Sequence, residues 1–459
     1  GRGGANFPCG IKWGFLAPAE PRYLVINGDA EIHGVLQVLL AEDWSPVVGQ
    51  QVLSLLSVEG ALVYDELELI TSAVGQYALV EGAFGNLHLH SDLHFANEDI
   101  LAETNSNQEE IASTLHALYV SEHYHDTEFR HLIAIQDAET YVAALDSFGA
   151  EVLVDNQVAN ILSAVGFRDD MLGCQGLFKG DLQDDHCVWV SFEGENLEGG
   201  ATSDSLAYNH HAWEIAGGGE RDLDNGWTVG GGFSFETSSL SVAEASASVS
   251  GQQFRVGLAA TREFSLLDLS GVVTGGVGSY NYDRDPFLGD PLNATQTMGL
   301  IGGKLEASRR IEIGDWFVRP RGSVGFDYLS TGDYNEYGEN AYALRIESSD
   351  EVYTNLQAGL DIGAQITLES GLTIRPSLSA GVTQFLGDTS PIATAQFQAS
   401  PSYIPDFDST ANFDQTYLDL SAGLDVLAAR NTAIRAEVGG SFSENTTRLG
   451  GQLKFSVNF

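Results

Sequence analysis

Arg448-Leu449-Gly450-Gly451-Gln452-Leu453-Lys454-Phe455-Ser456-Val457-Asn458-Phe459 is the stretch that decides the fold. Leu449, Leu453, Phe455, Val457 and Phe459 alternate with Arg448, Gln452, Lys454, Ser456 and Asn458. A period of two sends the two sets to opposite faces of a strand, whereas a helix would scatter them around its circumference. A strand that crosses a bilayer needs about 9–11 residues, with an apolar side toward lipid and a polar side toward the lumen. This stretch meets both requirements.

Working upstream, the same period recurs. Ile434, Ala436, Val438 and Phe442 alternate with Arg435, Glu437, Gly439 and Ser441, and Leu418, Leu420, Ala422, Leu424 and Val426 with Asp419, Ser421, Gly423 and Asp425. Val352 to Ile366 and Trp316 to Tyr328 repeat the pattern. Segments of this kind are expected to start near His186, His211, Gly226, Gly251, Ser265, Thr295, Asp315, Glu351, Gly371, Asn412, Asn431 and Thr447. Short connections with turn chemistry are expected at Asp224-Asn225-Gly226, Glu312 to Asp315, Glu369-Ser370-Gly371 and Ala429-Arg430-Asn431. Long ones are expected at Asn196 to Asn209, Glu236 to Ser250, Asn281 to Ala294, Ser330 to Asp350 and Gly387 to Ala411, with a short outer loop at Ser443 to Thr446. Short turns on one side and long loops on the other mark the two faces of a membrane barrel. A soluble β-sandwich also alternates, but its strands run about 5–6 residues. Strands of membrane length must close on themselves, because lipid offers no partner to an unpaired backbone.

Composition narrows the function. The formal net charge of −43 argues against nucleic-acid binding, which needs basic surface to neutralise phosphates. No apolar run of about 18 residues is present, so no transmembrane helix is expected. Gly1-Arg2-Gly3-Gly4 carries no charged-then-apolar leader, and the sequence reads as mature or truncated at its start. Of the three cysteines, Cys174 and Cys187 lie close enough for a small-loop disulfide in an oxidising compartment, with two free thiols as the alternative. Cys9 is left over.

An even number of strands puts both barrel ends on the short-turn side, so a segment displayed outside must pass through the lumen. Residues 105–170 read as helical, from the spacing of Ile111, Leu115 and Leu118, of Tyr141, Leu145 and Phe148, and of Val158, Ile161 and Leu162. Asp155 to Met171 is the candidate lumenal helix, with an ordinary periplasmic or surface helix as the alternative. Before it, Leu24 to Leu39 reads strand, turn, strand, and short β runs follow at Gln51 to Leu56, Ala61 to Ile70 and Leu87 to Phe95. Short strands so closely spaced suit the end of a stacked β-solenoid.

Leu453 to Phe459 resembles the C-terminal signal that outer-membrane barrels present to the barrel-assembly machinery. Val188-Trp189-Val190 with Asp222 to Trp227 resembles the opening strands of the autotransporter β-domain, the translocator of monomeric type V secretion. Asn107-Gln108 and Ala144-Leu145-Asp146-Ser147-Phe148 resemble the linker before such barrels, and Leu24 to Leu39 the pertactin-like last rungs of a passenger β-helix. The resemblance implies an outer-membrane barrel that anchors the protein and assists export of an N-terminal passenger. It implies partners in outer-membrane lipid, the barrel-assembly machinery and the passenger itself, and a monomer. No Asn-Asn pair stands at the linker of the kind some members cleave; Asn156 and Asn160 are weak substitutes, and no cleavage is expected.

Other chemistry is sparse. His88, His90 and His94, and again His123 and His125, are close in sequence, but His pairs without a fixed acidic partner read as polar surface. His210 and His211 are expected exposed at the outer rim. No nucleophile elbow, phosphate-binding loop or dinucleotide fingerprint appears. No catalytic, cofactor or metal site is assigned, and any enzymatic activity is expected in passenger sequence outside this chain. Arg255, Lys304, Glu306, Arg319, Arg321, Asp327, Arg375, Arg435, Glu437, Arg448 and Lys454 fall on the inward face and are expected to hold a plug, generic solvation of a wet pore being the alternative. Trp189, Trp213, Trp227, Trp316, Tyr328, Phe455 and Phe459 are expected in the interface girdles.

The expected architecture is therefore an all-β membrane protein: an antiparallel outer-membrane barrel of about twelve strands over 186–459, a helical linker over 105–185, a β-helix end over 20–104 and an upstream remnant over 1–19. Two rival readings stand beside the translocator: a surface adhesin with a retained acidic β-domain, and a small-solute porin with an open lumen.

Overall fold

The computed structural model describes residues 24–26, 29–37, 48–49, 51–64, 67–70, 72–82, 85–102, 104–122, 126–172, 186–223, 225–369, 372–387, 389–429 and 431–459. It divides into two compact units, one built mainly from residues 1–148 and the other from the barrel and the helix before it.

Twelve long strands form the barrel: His186–Gly199, Tyr208–Asp222, Trp227–Val242, Ala247–Glu263, Asp268–Arg284, Leu292–Ser308, Trp316–Thr331, Ser349–Ala364, Thr373–Leu386, Thr416–Ala429, Thr432–Phe442 and Thr446–Asn458. They are called strands 1 to 12 below. Each pairs antiparallel with the next, and strand 12 returns to strand 1, from Thr446 opposite Gly199 to Asn458 opposite Cys187. No edge remains, which is the condition for strands to stand in lipid. At the seam, Phe459 N donates to His186 O at 2.9 Å.

The lipid-facing side follows from the alternation. Phe192, Trp213, Phe233, Leu258, Val273, Ile301, Phe326, Val352, Leu378, Leu418, Val438 and Leu453, one from each strand, are all exposed. A water-soluble protein does not leave an apolar belt of this extent uncovered. No described helix is long and apolar enough to cross a membrane.

Trp213, Trp316, Tyr328, Phe455 and Phe459 are exposed, as expected of girdle residues, and Trp227 is half-buried. Trp189 departs from the expectation. It shares strand parity with Cys187, Ser191 and Glu193, so it points inward and packs with Phe167, Met171 and Ala216. His210 departs too: it is 1% exposed and faces Glu195 at 3.9 Å, while His211 next to it is exposed.

One expected long loop is absent. The alternation of buried and exposed residues runs from Glu236 to Val242 and resumes from Ala247 to Ser250, and Val242 pairs with Ala247 across a tight turn at 243–246. Small Ser, Thr and Ala residues there read as loop by composition, yet they keep the strand period. The connections at 200–207, 285–291, 332–348 and 387–415 are the long ones on this side. The opposite side carries 223–226, where Gly226 adopts φ 78°, and 264–267. Asp224, Ser370, Gly371 and Arg430, named above for turns on that side, lie outside the described residues.

In the N-terminal unit, Leu24–Ile26 pairs parallel with Gln51–Val58, Ala30–Glu31 with Leu62–Val63, and Gly34–Gln37 with Leu67–Ile70. Gln51–Val58 then pairs antiparallel with Leu87–Leu93, and that strand with Gly75–Glu81. Leu56, Val58 and Leu87 form its core, with Ile32, Leu62 and Leu67 against them. Helices Glu98–Leu101, Ser106–Val120, Asp126–Ile133 and Ala138–Asp146 follow. Asn105 and Gln108 close a reciprocal capping box on the second of these, so the Asn-Gln region starts a helix. Ile111, Leu115, Leu118, Tyr141 and Leu145 are buried as their spacing predicted. His88 bonds to Ser54 Oγ at 3.1 Å, and His94 stacks on His116 with ring centres 4.0 Å apart. His123 and His125 lie outside the described residues.

Candidate functional site in the lumen

The helix Glu151–Asp170 belongs to the barrel unit. It is buried on every side: Val152, Asp155, Gln157, Val158, Ile161 and Ala164 are each at most 5% exposed. An all-round buried helix has no apolar stripe, and its polar residues need partners. Most of them find partners among inward-facing wall residues, while the Asp155 and Gln157 side chains make no hydrogen bond among the described residues. Asn156 Nδ2 donates to Tyr282 Oη at 3.0 Å, and Tyr280 Oη donates to Asn160. Ser163 receives Arg255 at 2.8 Å and donates to Glu236. Arg168 pairs with Asp327, Asp169 with Lys304, and Asp170 accepts from Gln452 Nε2 at 2.6 Å. Partners on strands 3 to 7 and 12 place the helix inside the lumen.

The helix also has a direction. Near its start, the Glu151 carboxylate accepts from Leu206 N in the long loop after strand 1. At its end, Asp169 and Asp170 meet Lys304 and Lys454, each four residues from the short-turn end of its strand. Past the helix, Met171 lies against Gly232 and Gly257, where a Cβ would come within 2.8 Å and 3.1 Å of its side chain. The helix therefore runs from the long-loop end of the barrel toward the short-turn end.

The inward charges fall into two groups. Arg255, Lys304 and Lys454 reach the helix, and Arg448 lies over Gly166 while donating to Glu195 at 2.8 Å. Arg319 and Arg321 instead pair with Asp361 on the wall, and Arg435 with Asp425 at 2.9 Å and with Glu437. Glu306 sits between Lys304 at 3.1 Å and Arg319 at 3.6 Å. Arg375 donates to Gln365 at 2.9 Å near the short-turn rim. Around Asp169, Arg319, Arg321, Asp361, Arg435 and Glu437, a cavity of about 370 Å³ remains between the end of the helix and the wall.

Sequence reasoning missed several members of this network. Arg168 reads on its sequence as one cation in the last turn of a helix, and its match to Asp327 lies 159 residues away. Arg284, at the long-loop end of strand 5, donates to Glu336 at 2.9 Å and to Tyr342 O at 2.8 Å, drawing the loop 332–348 inward. Only its inward parity on strand 5 pointed to it.

The family model of the autotransporter beta-domain matches residues 188–439, more than half of the chain. The chain belongs to the autotransporter β-domain family. The translocator domain of the autotransporter NalP from Neisseria meningitidis shares its fold, with TM-score 0.56 at 14% identity over 68% of this chain and 100% of that one. The β-domain of the Bordetella autotransporter BrkA is also similar, at 18% identity, 60% and 100% coverage and TM-score 0.47. So is the transport unit of AIDA-I from Escherichia coli, at 11%, 64% and 97%, and 0.44. No curated protein matches the chain. As an autotransporter β-domain, this barrel is an outer-membrane translocator associated with its own passenger, a role that is not catalytic.

Proposed function

We propose that this autotransporter displays a passenger at the cell surface, with residues 20–104 as the passenger's last β-helix rungs, 105–185 as the linker through the lumen and 186–459 as the anchor. The direction of the lumenal helix carries this reading. Its start lies beside Leu206 at the long-loop end, which supports export of the preceding residues to that side. The parallel pairings support the rungs: Leu24 with Leu56, Ala30 with Leu62 and Gly34 with Leu67 are 32 or 33 residues apart, the repeat of a chain coiling onto itself. Any enzymatic activity belongs to passenger sequence.

In this reading the barrel is monomeric and is assembled by the barrel-assembly machinery through Leu453, Phe455 and Val457, which point outward on strand 12, and Phe459, exposed just after it. Inward cations near the helix, Arg255, Lys304 and Arg448 among them, hold the plug. Cys187 is disulfide-bonded, and Cys174, its proposed partner, lies outside the described residues.

The test is expression behind a signal peptide in a Gram-negative host, with protease added to intact cells and outer-membrane fractions run boiled and unboiled. The expected result is a heat-modifiable band, a protected barrel-sized fragment and digestion of 20–104 from outside. A soluble periplasmic protein with no mobility shift would overturn the reading.

A further inference from the structure

Among the described strand residues, the outward-facing charges at the two ends of the barrel differ in sign. Those at the long-loop end include Glu198 on strand 1, Asp283 on strand 5 and Asp350 on strand 8, all exposed. Those at the short-turn end are Arg221 on strand 2, Arg262 on strand 4 and Arg309 just past strand 6. Their direction follows from strand parity. Arg221 shares the face of Trp213 and Ile215, Arg262 that of Val256 and Leu258, and Arg309 that of Ile301 and Leu305, all exposed to lipid.

The three arginines form an arc at one level. Arg221 lies in the ladder row of Val229 and Ala260, and Arg262 is two residues further along strand 4. Arg262 in turn lies in the row of Leu269 and Ala307, and Arg309 is two residues further on. Tilted strands shift by about one residue per neighbour at constant height, so a step of two residues across two strands keeps to the rim. The stagger runs in this direction here: strand 4 ends at Glu263, whereas pairing beyond strand 6 continues to Ile313 opposite Trp316.

Apolar side chains flank this arc on the turn side as well. Leu223, Phe264, Leu266, Ile311 and Trp316 are all exposed. Arg262 lies beside two rings, with Cζ 5.3 Å from the Trp227 ring centre and 5.2 Å from that of Phe264. A guanidinium held against ring faces keeps its N–H edge for a ligand. The acids nearby turn the other way. Asp222, Glu263, Asp268 and Glu312 fall on the inward parity, Asp222 accepting from Thr228 and Glu312 pairing with Arg310 at 3.6 Å. Among the described residues, Arg221, Arg262 and Arg309 make no ion pair. Cations set between apolar residues at the edge of a lipid belt stand at the level of the headgroups, where phosphate is the counter-charge.

We propose that the short-turn rim of strands 2 to 6 binds anionic phospholipid headgroups, of which phosphatidylglycerol is the type, with phosphate on Arg221, Arg262 and Arg309 and the acyl chains along the belt. The guanidinium fork matches phosphate bidentately. The acidic long-loop rim repels the same headgroup, so the two ends of the barrel select different lipid surfaces. In the orientation proposed above the arc meets the periplasmic leaflet, but the binding does not depend on that orientation.

The full chain, purified in detergent, is melted in micelles doped with phosphatidylglycerol or with phosphatidylcholine of the same chain length, and retained lipid is counted by native mass spectrometry. Expected are a higher midpoint with phosphatidylglycerol and several-fold more of it retained, both differences shrinking in high salt. Arg221→Gln with Arg262→Gln and Arg309→Gln loses both differences. Arg262→Lys keeps the charge without the fork and retains part of them. Glu198→Gln with Asp283→Asn, at the other end, leaves them unchanged. Unboiled gel mobility verifies that each variant is folded; if the triple variant fails to fold, Arg262→Gln alone is used, and it lowers the preference for phosphatidylglycerol. A wild type that does not distinguish the two lipids overturns the proposal, as does a preference that survives the arginine variants. An equal midpoint shift from inorganic phosphate assigns the arc to small anions, and overturns it equally. Protease access to 20–104 on intact cells reads the orientation separately, so a barrel facing the other way would leave this result standing.

Discussion

Arg168 on the lumenal helix and Asp327 on strand 7 form a buried pair, with Arg168 Nη2 donating to Asp327 Oδ2 at 2.8 Å and side chains 1% and 0% exposed. The guanidinium fork meets the carboxylate with both of its Nη atoms, the geometry in which such pairs are strongest. It fixes both the depth and the rotation of the helix in the lumen. Removing one partner of a buried pair strands the other charge, which costs about 3–5 kcal/mol, whereas replacing both by apolar residues is often neutral. Arg168→Ala and Asp327→Ala are each expected to lower the melting midpoint of the detergent-solubilised protein well beyond Arg168→Met with Asp327→Leu. Equal losses in all three would mean that the pair's contribution is packing and not charge.

Gly302 makes room for that pair. It lies directly opposite Asp327 in the ladder, and a Cβ there would stand 2.6 Å from Asp327 Oδ1 and closer still to Arg168 Nη1. Neither buried group has space to retreat. Gly302→Ala is therefore expected to reproduce most of the destabilisation of Asp327→Ala. Gly322→Ala, where a Cβ meets only Gln357 O at 3.8 Å, is expected to be close to silent. Matching melting midpoints for the two alanine variants would refute the steric assignment.

These two residues mark where sequence reading succeeds and where it stops. The barrel was legible because its rule is local: alternate residues face lipid, and the parity of Phe455 against Lys454 can be read from neighbours alone. The lumenal helix was legible from the spacing of Val158, Ile161 and Leu162. What each inward charge touches was not legible, because the pairing of Arg168 with Asp327, or of Lys304 with Asp169, is set by helix depth and barrel shear, neither of which leaves a local trace. Trp189 shows the same limit from the other side. An aromatic suggests a girdle by type, and only its parity with Cys187 and Ser191 says that it faces inward. The tight hairpin through Glu236 to Ser250 reads as a long loop when composition is weighed above period.

Asp414, in the connection before strand 10, clasps the turn between strands 11 and 12. It accepts from Ser443 Oγ at 2.6 Å, Asn445 N and Nδ2 at 3.0 Å each, and Thr446 Oγ1 at 3.1 Å. Burial pushes its carboxyl up, but the hydrogen bonds from Ser443, Asn445 and Asn412 together outweigh burial and hold it below the ordinary range. A depressed carboxyl binds fewer protons folded than unfolded, so it contributes stability above the ordinary value of about 3.9 and loses it as pH falls through its own lower value. Amide exchange at 443–446 is expected to stay slow at neutral pH and to rise only below about pH 4. Asp414→Asn should exchange faster at neutral pH and show no such acid step. A wild-type profile without the step, or one shared with Asp414→Asn, would remove Asp414 as the clasp.

The last prediction concerns the lumen as a path. Barrel closure depends on strand 12 pairing with strand 1 from Thr446 to Asn458, and none of those backbone pairings involves the helix. Deleting residues 149–172 should therefore leave a closed, heat-modifiable barrel that has lost its plug. In planar bilayers the full chain is expected to pass only a small ionic current, through the cavity of about 370 Å³ beside the end of the helix. The deletion is expected to conduct several times more, because the side chains that now cross the lumen to Asn156, Asn160, Ser163, Arg168 and Asp169 would face water instead. Equal currents would mean that the helix leaves the lumen in the membrane. A large steady current from the full chain would instead favour the open porin over a plugged translocator, since the lumenal helix, and not the barrel wall, is what separates those two readings.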